Sequence, residues 1–460
     1  MLTKLSIQNF KSWHNLRETR LSRITGLFGA NNTGKSSVLE LLLLLKQTIE
    51  CQDRYQVLHF GSLDPPTPVN LGSLKDVLFR HDEGRPLSFS VEWLISPRDS
   101  KALATMVFPG SSPSLGSLEV SIRSEEGLAV VDTLKYRIDS QLIVFARIPT
   151  KPGYSVHSTI DGFEKGYADA GRFPIRPADL PRKFFIPPGG RLVQEGSTAL
   201  VVLDYLVYAV NRVLSESLFY LGPLRVPFSP EYRWTGERHS HVGYRGEKAV
   251  EALLAMQREK RTEAFPPSGR RFPLVGCIEE QLKRLNLIES LDLRAITKEK
   301  DLYRAYVRAL GSGAECRIGD VGFGVSQVLP VIVLLYYVPR GSTVILEQPE
   351  IHLHPAVQYR LADVIVDATL GRELQVIVES HSEHLLNRLQ RRLAEGKGGV
   401  ELADVSLYFT KLWGGESRLT RLKLTENGDV VNWPRDFFGD ALGEALAFRK
   451  AQMNRQKPKA

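Results

Sequence analysis

Apolar and polar positions alternate over Lys4–Phe10 (KLSIQNF), as in a half-buried strand. Arg23–Gly29 (RITGLFG) predicts a second short strand that runs straight into a glycine loop. Lys35–Glu50 (KSSVLELLLLLKQTIE) is apolar on nearly every side and predicts a buried helix. From Pro86 to Thr159 the segments PLSFSVEWLIS, ATMVF, SLEVSIRS and QLIVFARI, separated by Pro and Gly clusters, predict an antiparallel β subdomain. Gly171–Gly190 is proline-rich and reads as a loop or linker, and helices are predicted over Thr198–Ser217, Gly246–Thr262 and Val275–Leu291. The last third turns α/β. A helix is predicted over GVSQVLPVIVLLYYV despite Pro330, then a buried strand at Ser342–Glu347. A helix opening on Pro355, a strand at Glu373–Ser380 and a helix at Ser382–Glu395 follow, then the strands DVSLYFT and SRLTRLKL. The expectation is an α/β fold divided at 1–85, 86–197, 198–315 (a helical insertion), 316–427 and 428–460. No internal repeat or sustained heptad is visible.

Composition narrows the class. The chain has 460 residues, 43% apolar and 24% charged, which is ordinary for a globular protein with two or three lobes. Three widely spaced cysteines, Cys51, Cys277 and Cys316, form no disulfide framework or zinc pattern and suit a reducing, cytoplasmic setting. The N-terminal MLTKLSIQNFKSW lacks the apolar core of a signal peptide, and the apolar run Gln327–Val338 is too short to span a bilayer, so no membrane role is expected. A net charge of +8 and a pI near 9.2 favour anionic partners only weakly.

The chemistry begins at the glycine loop. Gly29, Ala30, Asn31, Asn32, Thr33, Gly34, Lys35 and Ser36 satisfy G-x-x-x-x-G-K-[ST], with Ser37 next, between a strand and a helix. Glycines let backbone amides approach phosphate oxygens, and the helix N-terminus adds a partial positive charge. Lys35 is expected to bridge the terminal phosphates of ATP, and the Ser36 hydroxyl to ligate Mg²⁺. The competing reading, a glycine turn before a core helix, does not require the lysine and serine.

A phosphate loop needs an acid across the sheet. In TVILEQPEIHLHP (Thr343–Pro355) an apolar strand runs into Glu347, with Glu350 just past Pro349. Strand carboxyl ends are where ligands bind in parallel sheets. Glu347 is expected to hold Mg²⁺ through water, and Glu350 or Gln348 to position the attacking water. GDVGFGVSQVLP (Gly319–Pro330) puts Gly322, Gly324, Ser326 and Gln327 at a second helix start, an anion site with no use in its own phosphate loop. IVESHSEH ends a further strand beside His381, which stands where the ABC-type ATPases that these segments resemble carry a switch histidine, a likeness that implies contact with the γ-phosphate. His352, His354, His381 and His384 with Glu350 and Glu379 admit a zinc reading, but H-x-H on an extended segment turns the two rings apart.

Phosphate loop, GFGVSQ, ILEQPE and ESHS, in that order, resemble the ABC-type AAA ATPases of the RecF/SMC/OLD class. The likeness is greatest to a compact bacterial group with a DUF3696-type C-terminal region. VNLGSLKDVLFR, YLGPLRVPFSPEYRWTG with VGYRGE, and GDVVNWPRDFFGD extend it over most of the chain. The resemblance implies a P-loop ABC-type head with a mixed sheet. It implies two protomers closing head to head, with Lys35 of one facing Ser326 of the other across ATP. It further implies work beside a separate effector, such as a nuclease or toxin, as in the bacterial anti-phage systems Septu and PARIS. Where that class ends its acid strand Asp-Glu-Pro, this chain has Glu347, Gln348 and Pro349, which implies slow turnover. The segment between phosphate loop and signature lacks the heptads of SMC coiled coils. The stretch after His381 is too short for the nuclease domain of OLD proteins, so no nuclease activity of the chain's own is expected.

Three readings follow: an ATP-dependent sensor or scaffold in defence, a RecF-like DNA-repair clamp, and a slow or inactive nucleotide-binding scaffold. Basic clusters at RKFF, Arg258–Arg261, GRRF (Gly269–Phe272) and the tail FRKAQMNRQKPKA make nucleic acid a possible partner without separating the three.

Overall fold

Strands Ile24–Gly29, Gln375–Ser380, Thr343–Glu347 and Leu218–Leu221 lie side by side and parallel, with Val405–Trp413 parallel on the other flank of Ile24–Gly29 and Glu416–Arg421 closing that edge antiparallel. This is a mixed sheet of the α/β class, and its strand Ile24–Gly29 leads into the glycine loop. The computed structural model describes residues 1–53, 55–64, 66–148, 154–161, 163, 183–187, 198–265, 269–299, 301–311, 313–396, 399–434 and 449. Most of the expected linker at 171–190, the segment RDFFGD and the basic tail lie outside the described residues.

The sheet is covered on both faces, so its strands are continuous apolar runs rather than alternating ones. The period of two sorts their side chains between two cores. Val344, Leu346, Val376 and Val378 enter one core with helices Ala249–Glu259, Leu274–Arg284, Phe323–Tyr337, Pro355–Gly371 and Glu383–Glu395. Ile345 and Ile377 enter the other, with helix Lys35–Glu50 and helix Thr198–Asn211.

That second core is closed by a seven-stranded antiparallel sheet, ordered Trp13–Arg20, Leu2–Phe10, Leu87–Leu94, Leu115–Glu125, Leu128–Ile138, Gln141–Arg147 and Tyr154–Ser158. Its second and third strands pair Leu5 with Val91 and Ile7 with Phe89, so one sheet joins residues on both sides of position 85. Helix Lys35–Glu50 is wedged between the two sheets, which explains a leucine run that leaves almost no polar face.

Three element expectations change. ATMVF is not a strand: Pro97–Met106 is a helix, started by Ser96, whose side chain accepts from the Asp99 amide, with proline in the first turn. The helix expected to reach Leu291 stops at Arg284. Asn286 takes a left-handed φ of 56°, and Ile288–Ala295 is a strand paired with Leu302–Ala309. Residues 198–315 are therefore mixed, with the hairpin Thr262–Phe265/Arg270–Pro273 beside the helices, rather than a helical insertion. Among the described residues, one helical stretch, Thr198–Glu216, is long and apolar enough to cross a membrane. Ala199, Val202, Leu203, Leu206 and Val210 on it pack into the core beneath the antiparallel sheet.

Candidate active site

The glycine loop lies at the carboxyl edge of the central sheet. Gly29 has φ 142° and Gly34 φ 89°, both unfavourable for side chains. A Cβ on Gly29 would strike the Thr410 carbonyl and hydroxyl, and one on Gly34 would strike the hydroxyls of Ser417 and Ser12. Thr33 is tied down as well, donating to the Ala30 carbonyl at 2.9 Å and sharing a hydrogen bond of 2.6 Å with Thr410. Strand Val405–Trp413 thus braces the loop from the side. Gly34 caps helix Lys35–Glu50 without a side-chain hydrogen bond, so no side chain competes for the first-turn amides at that cap. Ala30, Asn31 and Asn32 are exposed at the tip, Asn32 at φ 59°, while Ser37 is half-buried on the helix.

Lys35 is buried and donates to the Ala30 carbonyl at 2.7 Å, with its ammonium 4.0 Å from Glu379 Oε1. Burial lowers its pKa, and the Glu379 charge opposes that. The Ser36 hydroxyl donates to Glu379 Oε1 at 2.9 Å. Sequence reasoning placed Glu379 only in a rejected zinc cluster. The register explains its position: Glu379 pairs with Glu347 on one side and with Leu27, in the strand leading to the loop, on the other. Burial, reinforced by the Glu347 charge, pushes the Glu379 carboxyl up to about 7.

Glu347 accepts from the Tyr220 hydroxyl at 2.7 Å, and burial raises its pKa too. Glu350 is buried beyond the turn, where Oε1 accepts from the Ser380 hydroxyl at 2.7 Å and from the His381 amide at 2.8 Å. Its Oε2 has no hydrogen-bond partner, and burial raises its pKa. Gln348 sits between them at φ 44°, its amide donating to the Glu379 carbonyl at 2.8 Å. The His381 ring is half-buried; burial, with Lys35 nearby, lowers its pKa.

Arg225 went unnoticed in the sequence. It is 5% exposed, and Nη2 donates to the Glu347 carbonyl at 3.2 Å and the Gln348 carbonyl at 3.3 Å, holding the acid turn from behind. Nε and Nη1 have no hydrogen-bond partner, and burial lowers the guanidinium to about 10. Tyr220 lies within the apolar run LFYL (Leu218–Leu221) and Arg225 just past its end; a strand end beside two acids was the available signal.

The signature segment differs from expectation. Helix Phe323–Tyr337 starts one residue after Gly322, which puts Ser326 and Gln327 past the first turn. Both are buried, Ser326 at 8% exposure and Gln327 at 2%. Gly322 is exposed and Gly324 half-buried, so the accessible part of this turn is its glycines rather than the serine hydroxyl. A Cβ on Gly324 would lie 3.8 Å from Leu353, just beyond the acid turn.

The residues fit a nucleotide triphosphate with a divalent ion. The uncapped helix start and Lys35 suit phosphate oxygens, and Ser36 with buried, unpaired carboxylate oxygens of Glu350 and Glu379 suits a hard cation. Among the described residues no group of three His, Cys, Asp or Glu side chains is arranged to hold a metal by protein ligands alone.

Comparison with known families agrees. Residues 1–82, which carry the loop, match the family "AAA ATPase domain". Residues 235–387, which carry the signature turn, the acid strand and His381, match "AAA domain, putative AbiEii toxin, Type IV TA system". Two segments of the chain thus resemble AAA-type ATPase domains. Residues 401–447 match DUF3696, a family of unknown function. No curated protein matches the chain significantly. Similar solved structures include an Smc head bound to the C-winged helix domain of ScpA, with 13% identity, a TM-score of 0.47, and coverage of 92% of this chain and 98% of that one. The SMC head domain of Thermotoga maritima shares 10% identity at a TM-score of 0.38, covering 92% and 99%. The Smc head of Pyrococcus furiosus bound to the C-terminal domain of ScpA shares 10% at 0.43, covering 98% and 99%.

Proposed function

We propose that the chain is an ATP-binding and hydrolysing head that closes on a second copy when ATP is bound and acts as the sensor or scaffold subunit of a bacterial anti-phage system, with a separate nuclease or toxin as effector. One observation carries the ATPase part. The phosphate loop, Glu347, Glu350, Glu379 and His381 come from distant parts of the sequence and meet at one sheet edge.

The roles follow from the side chains. Lys35 and the loop amides bind the phosphates, while Ser36 and Glu347 hold Mg²⁺, Glu347 through water. When bound, Mg²⁺–ATP supplies the electrophilic γ-phosphoryl group. Glu350 has one oxygen committed to Ser380 and His381 and the other unpaired, which suits it to orient a water and take its proton. Gln348 can orient a water but not deprotonate it. A buried base that also holds the His381 loop supports slow turnover. The exposed Gly322 and half-buried Gly324 support contact across a dimer, with Ser326 acting from beneath them.

The proposed partners are a second copy of the chain and an effector protein, and the proposed location is the cytoplasm. The test is purification from the native host with ATP and with a Glu350→Gln variant, followed by identification of bound proteins. A nuclease or toxin recovered in an ATP-dependent manner is expected; replication and repair proteins in its place would contradict the defence role.

One feature favours the second reading, a nucleic-acid-handling repair ATPase. Trp413 is 61% exposed at a hairpin tip, with Lys411 and Arg418 over its ring at 5.5 and 5.9 Å. An aromatic platform with cations suits unpaired bases.

A further inference from the structure

We propose that Glu379 is a second carboxylate of the divalent-cation seat, acting with Glu347 and the Ser36 hydroxyl. The inference rests on the nucleotide reading above and adds to it a residue for which the phosphate-loop pattern has no place.

Glu347 and Glu379 are register partners on adjacent parallel strands. Register partners project to the same face, and these two share the parity of Ile345 and Ile377, which pack on the side of helix Lys35–Glu50. Two carboxylates therefore stand together on the face that carries the phosphate loop. Glu379 is 1% exposed. Its Oε1 takes the Ser36 hydroxyl at 2.9 Å and lies 4.0 Å from the Lys35 ammonium, so it meets both phosphate-loop side chains that a metal–nucleotide pair would use. Its Oε2 is buried with no hydrogen-bond partner. Glu347 differs in that Tyr220 already binds its Oε2 at 2.7 Å.

A buried carboxylate oxygen without a donor is costly, and a second carboxylate beside it adds repulsion. A glutamate kept only to accept one hydroxyl needs a single oxygen, and glutamine would supply that. A hard dication satisfies the unpaired oxygen and cancels the repulsion between the pair. It also follows that, without metal, Glu379 opposes the entry of a triphosphate.

The experiment is titration with the fluorescent nucleotide mant-ATP, in Mg²⁺ and in EDTA, on wild-type protein and Glu379→Gln. Wild type is expected to bind much more tightly in Mg²⁺. Glu379→Gln should bind on the order of tenfold more tightly than wild type in EDTA, and its gain from Mg²⁺ should shrink by a similar factor. A variant with wild-type Mg²⁺ gain overturns the assignment. Glu379→Asp keeps the charge but withdraws it by one methylene. It should lose several-fold of the Mg²⁺ gain with no rise in EDTA affinity, and an unchanged gain in that variant overturns the assignment equally. Wild type that binds no mant-ATP in either condition overturns the nucleotide reading itself, whereas wild type with a strong Mg²⁺ gain matched by both variants overturns only the role of Glu379.

Discussion

Glu350 is fixed by the residues it touches: Ser380 and the His381 amide occupy one oxygen and leave the other. Glu350→Gln keeps the shape and removes the proposed base, so ATP turnover should fall by roughly a hundredfold or more, whereas Gln348→Ala should cost about tenfold or less. The reverse order in steady-state phosphate release would move the base elsewhere. Arg225 acts through two backbone carbonyls of the acid turn. Arg225→Met should lower unfolding stability by on the order of 2 kcal/mol in urea denaturation and slow turnover with it, since those carbonyls lose their donor. Neither Arg225 nor Glu379 was legible as a site residue in the sequence. Each earns its place from a strand neighbour over a hundred residues away, and a linear pattern carries no such register.

At the scale of elements, the phosphate-loop helix was legible to the residue, Lys35–Glu50, because the loop fixes its start and the leucine run fixes its burial. The acid strand and the helix after it were legible for the same reason: an apolar run ends on an acid, and Pro355 opens the next helix. ATMVF misled because its β-branched and aromatic residues outweighed the start signal Ser96–Pro97–Arg98–Asp99 upstream. The signature helix was found, but a pattern of letters does not show how far the helix start is from its surface. Because Ser326 is buried, Ser326→Arg should destabilise the fold by several kcal/mol rather than spare it. Gly322→Arg, at the exposed start, should leave thermal stability within about 2 °C of wild type and abolish ATP-dependent dimerisation in analytical ultracentrifugation. A dimer that forms normally with Gly322→Arg would show that this turn does not face a partner. On helix Ala249–Glu259, burial raises the Glu251 pKa, and Oε2 is buried without a hydrogen-bond partner. The folded state therefore holds this proton more tightly than the unfolded chain, and ionisation weakens the fold as pH rises. Glu251→Gln should be more stable than wild type at pH 8, by up to about 1 kcal/mol in urea denaturation, with the difference vanishing at pH 4.

Across the whole molecule, one sheet collects its chemistry from four places in the chain and is held between two cores. The α/β class was legible because buried parallel strands read as unbroken apolar runs. The antiparallel sheet was only partly so, since its first two strands precede the phosphate loop and its third follows position 85. That arrangement ties the loop-bearing segment and the β segment into one core, so they should unfold together in a single calorimetric transition. The most direct test of the account is release of phosphate from Mg²⁺–ATP by wild-type protein and by Lys35→Ala. The account predicts measurable turnover in wild type and a loss of at least about a hundredfold in the variant, which has no ammonium for the terminal phosphates. Turnover in Lys35→Ala within about twofold of wild type would contradict it, because Coulomb attraction from a buried ammonium cannot be removed without effect.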